Sequence, residues 1–235
     1  MRENDTETID VDTWQARATM CELLAFSLRY PDQETVEALA SGEWVDAARE
    51  LAGALAIALP EDFASGLPGG PSEEAGFGSS STDADELLHA LRAEATRLFV
   101  GAAEPIVSPY EGVWAALDDG VQPLLFVNPR SMEVERFCRA CGLGRPEGTN
   151  EPLDHVATEW ELLQYLALEA SGAVAREGDG RADEDFPGGS PAAAYEAFLS
   201  DHASVWMPRF AEKVIEETRQ PFYRSAAQLL AAFFA

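Results

Sequence analysis

Apolar side chains recur every three or four positions along most of this chain, which is the spacing of one face of an α-helix. In the first such segment Asp12 is placed to cap a helix and Pro31 to end it, and the apolar residues between them are Trp14, Ala18, Cys21, Leu24, Ala25 and Leu28. The same spacing predicts helices at about 32–41, 43–58, 83–100, 130–141, 150–171, 191–203, 204–218 and 220–234. No convincing pair of segments alternates as strands do. We therefore predict an all-α helical bundle of about nine helices.

Three segments interrupt the helical pattern. Residues 60–82 and 172–190 are rich in Gly, Ser, Pro and acidic residues, so we predict two long flexible loops there. Residues 101–129 contain four prolines and no sustained period, yet they include apolar side chains that favour burial, and we expect an ordered but irregular segment. The chain then divides into helical parts over 1–129 and 130–235, which 235 residues can pack as one compact domain.

The charge of the chain restricts its partners. Forty-two acidic and 16 basic residues give a formal net charge of −26, and Lys213 is the only lysine. This balance argues against nucleic acid as a partner, because phosphate binding needs clustered Arg and Lys. It is typical of a halophilic protein, since molar salt screens the repulsion between surface carboxylates.

The sequence also indicates where the protein acts. Its first residues lack the basic and apolar regions of a secretory signal peptide, and the longest apolar run, at 51–60, is too short to span a bilayer. We expect a cytoplasmic protein without stable membrane insertion.

The segment Glu151-Pro152-Leu153-Asp154-His155 concentrates the candidate chemistry. On a helix, Glu151, His155 and Glu159 would share one face, where two carboxylates and an imidazole could converge on a metal ion. The set lacks the two Glu-x-x-His pairs of carboxylate-bridged di-iron bundles, so we expect no metal and no other cofactor. The sequence contains no nucleophile elbow, P-loop or dinucleotide-binding glycine motif, and we predict no catalytic residue.

An ordinary helix start is the alternative interpretation of this segment. Thr149 or Asn150 would cap the helix, Pro152 is allowed in its first turn, and the positive end of the helix dipole favours nearby carboxylates. Asp154 and His155 would then point about 100° apart, so they would not form an acid–base pair. This interpretation leaves His155 unexplained.

Cys138 and Cys141 form a Cys-x-x-Cys pair, which occurs in redox sites and in zinc sites. The sequence offers no further ligands at matching spacing, and Gly142 is placed to end a helix directly after Cys141. We favour two packed thiols near a helix C-terminus.

Glu151-Pro152-Leu153-Asp154-His155 also matches in full the Glu-Pro-x-Asp-His signature of the TorD family. These cytoplasmic chaperones of molybdenum-cofactor oxidoreductases include DmsD- and NarJ-type proteins. The chain resembles the family from about Trp14 to Phe234, and the supporting segments are RLFVG at 97–101, SPYEGVW at 108–114, FCRACGL before the motif, and FLSDHASVWMPRF with PFYRSAAQLLAAF in the C-terminal helices. One position departs from the family pattern, because Ala95 stands where the family commonly has an aromatic residue.

The resemblance implies a chaperone rather than an enzyme. Such a chaperone binds the twin-arginine signal peptide and the apo form of a molybdopterin oxidoreductase, of the dimethyl sulfoxide or trimethylamine N-oxide reductase type, and delays export until the cofactor is inserted. Glu151 and Asp154 are the expected acceptors for the arginines. The other predicted contacts are Pro152 and His155 of the motif and an apolar surface formed by Leu98, Phe99, Pro109 and Tyr110.

Two other functions stay open on the sequence alone. One is a metal- or nucleotide-dependent helical enzyme that uses Glu151, His155 and Glu159, and the other is a structural subunit of a respiratory complex. The sequence does not identify the client reductase. Both a monomer and a homodimer with exchanged helices are compatible with the two long loops.

Overall fold

The computed structural model of the protein describes residues 10–71, 81–101, 104–122, 128–145, 152–173 and 182–235. The α-helices in these residues are α1 (Val11–Leu28), α2 (Gln33–Ala40), α3 (Glu43–Ala54), α4 (Ser81–Ala95), α5 (Glu111–Asp118), α6 (Pro129–Ala140), α7 (Val156–Ser171), α8 (Pro191–Phe198), α9 (Ser204–Glu217) and α10 (Pro221–Phe233). No β-strand occurs in this part of the chain. The predicted all-α bundle is therefore confirmed.

Helix α7 lies at the centre of the bundle. It packs most extensively against α1 and also contacts α8, while α10 packs on α9 and on α1. Trp160 of α7 is fully buried and meets Phe233 edge-on, with 5.1 Å between the ring centroids. Trp14 of α1 meets Tyr195 of α8 in the same way at 5.2 Å. One hydrophobic core thus contains residues from both the 1–129 and the 130–235 part of the chain.

Two helices begin at other residues than the sequence suggested. Asp10, rather than Asp12, caps α1, and its side chain accepts a hydrogen bond from the amide of Thr13 at 2.8 Å. Helix α7 begins at Val156 with His155 as its N-cap, so the predicted start near residue 150, with Pro152 in the first turn, is wrong. The reason is a backbone pairing of residues 154–156 with residues 109–111, which holds this segment in an extended conformation.

The central segment contains a helix that the sequence pattern did not predict. Residues Glu111–Asp118 form α5, which packs on α6 and α9. Two turns of helix are too short to establish a period against the surrounding prolines. The apolar residues Leu124, Leu125 and Phe126, for which we expected burial, lie outside the described residues.

Parts of both predicted flexible loops are packed against the core. Phe63 and Leu67 are buried, and the ring of Phe63 stacks on Trp44 with 6.0 Å between the centroids. In the second segment Phe186 is buried between two short 3-10 turns. Aromatic and leucine side chains inside a Gly- and Pro-rich segment anchor these turns, so composition alone overestimated their freedom. Residues 72–80 and 174–181 lie outside the described part of the chain.

Two π-helical turns interrupt the helices next to the candidate site. Thr96–Val100 continues α4 and carries Leu98 and Phe99, and Leu199–Ala203 joins α8 to α9 and carries the buried His202. A π-turn inserts an extra residue into a helix and reorients the side chains that follow. The first turn places Phe99 beside the segment that precedes α7, and the second places His202 against Glu111.

Candidate functional site

The motif loop, residues 152–155, is fixed to the central segment through its backbone. The amide of Glu111 donates to the carbonyl of Asp154 at 3.0 Å, and the amide of Val156 donates to the carbonyl of Pro109 at 2.8 Å. These two bonds form an antiparallel bridge that places Tyr110 beside His155. The loop is therefore the point at which two segments about 40 residues apart in sequence meet.

Asp154 caps helix α5 from this loop. Its side chain is only 1% exposed, and Oδ2 accepts hydrogen bonds from the amide of Gly112 at 2.9 Å and the hydroxyl of Ser131 at 2.6 Å. The amide of Gly112 lies in the first turn of α5, where it has no partner within the helix. Burial raises the pKa of Asp154 against the lowering effect of these bonds. In this position the carboxylate cannot reach a peptide arginine on the surface.

Gly112 is required for this contact. A Cβ atom at this position would lie 2.5 Å from the Ser131 hydroxyl and 2.9 Å from Oδ2 of Asp154. The side-chain amide of Asn128 closes the arrangement, because its Nδ2 donates to the carbonyl of Gly112 at 2.7 Å. Asp154, Gly112, Ser131 and Asn128 thus join the motif loop, α5 and the start of α6.

His155 has a different environment from its neighbour Asp154. Its Nδ1 accepts a hydrogen bond from the amide of Ala157 at 3.2 Å, which caps α7 and leaves the ring proton of the neutral form on Nε2. The partly exposed ring meets Tyr110 edge-on, with 5.2 Å between the centroids. The cap on α7 and the contact with Tyr110 explain the presence of His155, which the helix-start interpretation left unexplained.

Tyr110 and His155 open onto a cavity of about 320 Å³, which we call the aromatic cavity. It lies between the end of α1, the first π-helical turn, the motif loop and the start of α7. Its lining consists of Leu28, Arg29, Tyr30, Ala95, Phe99, Val100, Pro109, Tyr110, His155, Ala157, Thr158 and Glu161. Ala95, the position that departs from the family pattern, therefore lies in the wall, where a small side chain leaves room that an aromatic one would fill.

Four of the eight predicted site residues line this cavity: Phe99, Pro109, Tyr110 and His155. The other predicted site residues that the structure describes do not line the cavity. Leu98 is fully buried in the core, and both Pro152 and Asp154 are buried in the motif loop. Glu151 lies outside the described residues.

The charged residues of the aromatic cavity were not found from the sequence. Arg29 pairs with Glu34 at 2.6 Å and Asp32 at 3.3 Å, and its guanidinium lies 4.6 Å from the ring centre of Phe26. Glu161 makes no ion pair with any described residue; burial raises its pKa, and the charge of Arg29 lowers it. One cation and one carboxylate thus leave the cavity close to neutral. Neither residue belongs to a sequence motif, so the chain carries no specific signal for them.

A cluster of three buried carboxyl groups lies behind the motif loop, formed by Glu111, Asp154 and Glu159. Nδ1 of the buried His202 is 3.0 Å from Glu111 Oε2, and the indole of Trp206 donates to Glu159 at 3.1 Å. Burial, followed by the negative charge of Glu111, raises the pKa of Glu159 well above its ordinary value. Burial thus favours the neutral form of the Glu159 carboxyl group over the charged one.

The metal-site alternative is not supported by this geometry. His155 caps α7 and faces Tyr110, whereas Glu159 bonds to Trp206 in the buried cluster, so the two do not converge. Among the residues with a described structure, no group of three His, Cys, Asp or Glu side chains is arranged to hold a metal ion.

Cys138 and Cys141 are buried thiols at the C-terminus of α6. Burial raises the pKa of Cys138 to about 12, so its thiolate is not formed near neutral pH. Gly142 follows with a φ of 80°, as a helix-ending glycine does. Both thiols pack as the sequence analysis favoured.

No helix in the described ranges is long and apolar enough to cross a bilayer.

Comparison with known proteins agrees with the motif. Residues 43–212 match the family described as nitrate reductase delta subunit. The chain is 28% identical over 143 residues to the protein named Chaperone protein TorD of Vibrio cholerae serotype O1 (strain M66-2), a match that covers 61% of this chain and 58% of that protein. The Chaperone protein TorD of Vibrio parahaemolyticus serotype O3:K6 is also 28% identical over 143 residues, covering 61% of this chain and 60% of the relative.

The chain thus spans about three fifths of the length of the curated relatives that it matches. No solved structure matches it significantly. Because the family match covers well over half of the chain, the protein belongs to the nitrate reductase delta subunit family, and its resemblance to the TorD chaperones is confirmed.

Proposed function

We propose that the protein is a cytoplasmic, non-enzymatic chaperone for the maturation of a molybdopterin oxidoreductase. Its client is the apo form of that enzyme together with the twin-arginine signal peptide that the precursor carries. The observation that carries this proposal is the aromatic cavity, because His155 of the family signature forms part of its wall. The relatives named as chaperones support the same class of function.

The chemistry of the aromatic cavity fits an apolar peptide segment. Phe99, Tyr110 and His155 offer aromatic faces, and Tyr30 and Val100 at the edge are 55% and 59% exposed. Exposed aromatic and aliphatic side chains beside a concave surface cost hydration free energy in the isolated protein. A bound apolar segment would recover that free energy by covering them.

The two acidic residues of the signature have different proposed roles. Asp154 acts indirectly, since it caps α5 and holds Tyr110 and His155 in place through the motif loop. Glu151 stays a proposed contact for the client. Pro152 is buried and contributes to the shape of the loop rather than to its surface.

The proposal is tested by titrating the purified protein with a synthetic twin-arginine leader of a reductase from the same genome. We expect Tyr110→Ala and His155→Ala to weaken leader binding about tenfold, because each removes part of the cavity wall. The matched control is Tyr165→Ala, which removes a partly exposed tyrosine on α7 outside the cavity lining. Absence of binding to every such leader of the genome would overturn the proposal.

A further inference from the structure

A second concave surface lies between α1, α2 and α3, next to the aromatic cavity. Its volume is about 460 Å³, compared with about 320 Å³ for the aromatic cavity. Its floor is apolar and includes Leu23, Phe26, Trp44 and Leu51. None of these four residues belongs to the predicted site, and the proposed function has not used them.

Four glutamates surround this floor: Glu22, Glu34, Glu37 and Glu43. We call the surface the acidic groove. Glu34 pairs with Arg29, whereas the other three carboxylates are exposed and make no ion pair with any described residue. Acidic residues are common on this protein, so their charge alone does not mark a site. Their position around an apolar floor does mark a site, because carboxylates that serve only to hydrate the surface need not surround partly exposed Leu and Phe side chains.

The acidic groove and the aromatic cavity share a border. Arg29 lines the cavity, Glu34 lines the groove, and their ion pair of 2.6 Å separates the two surfaces. Phe26 lies below this pair, with its ring centre 4.6 Å from the guanidinium carbon of Arg29. A single extended segment can therefore occupy both surfaces in succession.

The two surfaces differ in charge. In the aromatic cavity Arg29 opposes Glu161, which leaves little net charge, whereas the acidic groove keeps three carboxylates without an ion pair to any described residue. Guanidinium groups bind carboxylates through paired hydrogen bonds, and the groove offers three carboxylates for this. An apolar segment has no such preference for the groove over the cavity.

We propose that the acidic groove binds the arginine pair of the client's leader, while the aromatic cavity binds the apolar stretch that follows the pair. This inference rests on the proposed function and specifies where the two parts of the leader lie. It assigns the arginines to Glu22, Glu37 and Glu43 rather than to the signature residue Asp154, whose carboxylate is buried.

Fluorescence anisotropy with a labelled synthetic twin-arginine leader tests the assignment. The test variant carries Glu22→Gln, Glu37→Gln and Glu43→Gln together, and we expect it to bind the leader about tenfold more weakly than the unsubstituted protein. The control variant carries Glu50→Gln, Glu86→Gln and Glu212→Gln, which removes the same charge at exposed sites outside both surfaces. We expect the control to bind within about twofold of the unsubstituted protein.

A leader whose two arginines are replaced by glutamine completes the design. The test variant and the unsubstituted protein should bind this leader equally, because the groove no longer has a guanidinium to recognise. If the unsubstituted protein binds the twin-arginine leader but the test variant binds it as tightly as the control does, the groove assignment is overturned and the proposed function stands. If the unsubstituted protein binds no leader, both are overturned.

Discussion

Asp154→Ala removes the carboxylate that caps α5, and the structure gives the size of the effect. Two donors, the amide of Gly112 and the hydroxyl of Ser131, lose their acceptor in a buried position. Each unsatisfied buried donor costs about 1–3 kcal/mol. The carboxylate itself is costly to bury, as its raised pKa indicates, which offsets part of that loss. We expect the free energy of unfolding to fall by about 3 kcal/mol in total.

Urea denaturation followed by circular dichroism measures this loss directly, and thermal melting should show a decrease of roughly 6–12 °C for a chain of this length. The control is Asp85→Ala, which removes an exposed carboxylate of α4 and should change stability by less than about 0.5 kcal/mol. Asp154→Asn keeps one acceptor atom, so its free energy of unfolding should lie between those of Asp154→Ala and Asp85→Ala. Equal stability of Asp154→Ala and Asp85→Ala would refute the capping role.

Two further substitutions probe the same region. Glu159→Gln should weaken the pH dependence of stability. Because the pKa of Glu159 is raised in the folded state, the free energy of unfolding of the unsubstituted protein decreases as the pH rises above about 4.5 toward that pKa. Glutamine does not titrate, so the variant lacks this decrease. Denaturation at pH 5 and pH 8 checks this, and an unchanged pH dependence would contradict it. Gly112→Ala should lower stability by about 1–3 kcal/mol because its Cβ meets Ser131 and Asp154. Gly53→Ala in α3, with open space around its Cβ, should raise the melting temperature slightly; equal effects of the two would count against the close packing.

The capping role changes how signature variants are interpreted. From the sequence we expected Asp154 to act on the surface with Glu151. If Asp154→Ala weakens the proposed client binding, we expect the effect to be indirect, because Asp154 holds the loop whose backbone bridge positions Tyr110 and His155. Substitutions of Tyr110 or His155 therefore report on client contact more directly.

The helices could be predicted from the sequence because their signal is local. Helix α1 shows it well: Trp14, Ala18 and Leu24 repeat at helical spacing, and all are buried in the structure. Its cap was misplaced by two residues because Asp10 and Asp12 are both acceptable caps, and only the hydrogen bond to Thr13 distinguishes them.

The site was less predictable because its parts come from distant segments. Asp154 bonds to residues 42 and 23 positions earlier in the chain, and a single sequence does not reveal such pairings. Tyr110 and His155 were found through the family resemblance rather than through spacing. Arg29 and Glu161 were missed because nothing in α1 or α7 alone marks them as neighbours of one cavity.

The packing of α1 on α7 has a consequence for the synthesis of the protein. The chain must be extended by about 130 residues after α1 before α7 begins. At a synthesis rate of about 5–20 residues per second, this takes on the order of ten seconds. During that time α1, whose Trp14 and Leu24 are buried in the finished fold, lacks the helix against which it packs most extensively. A protein proposed to bind an unfinished enzyme thus passes through a stage on the ribosome in which α1 exposes apolar side chains that the finished fold buries.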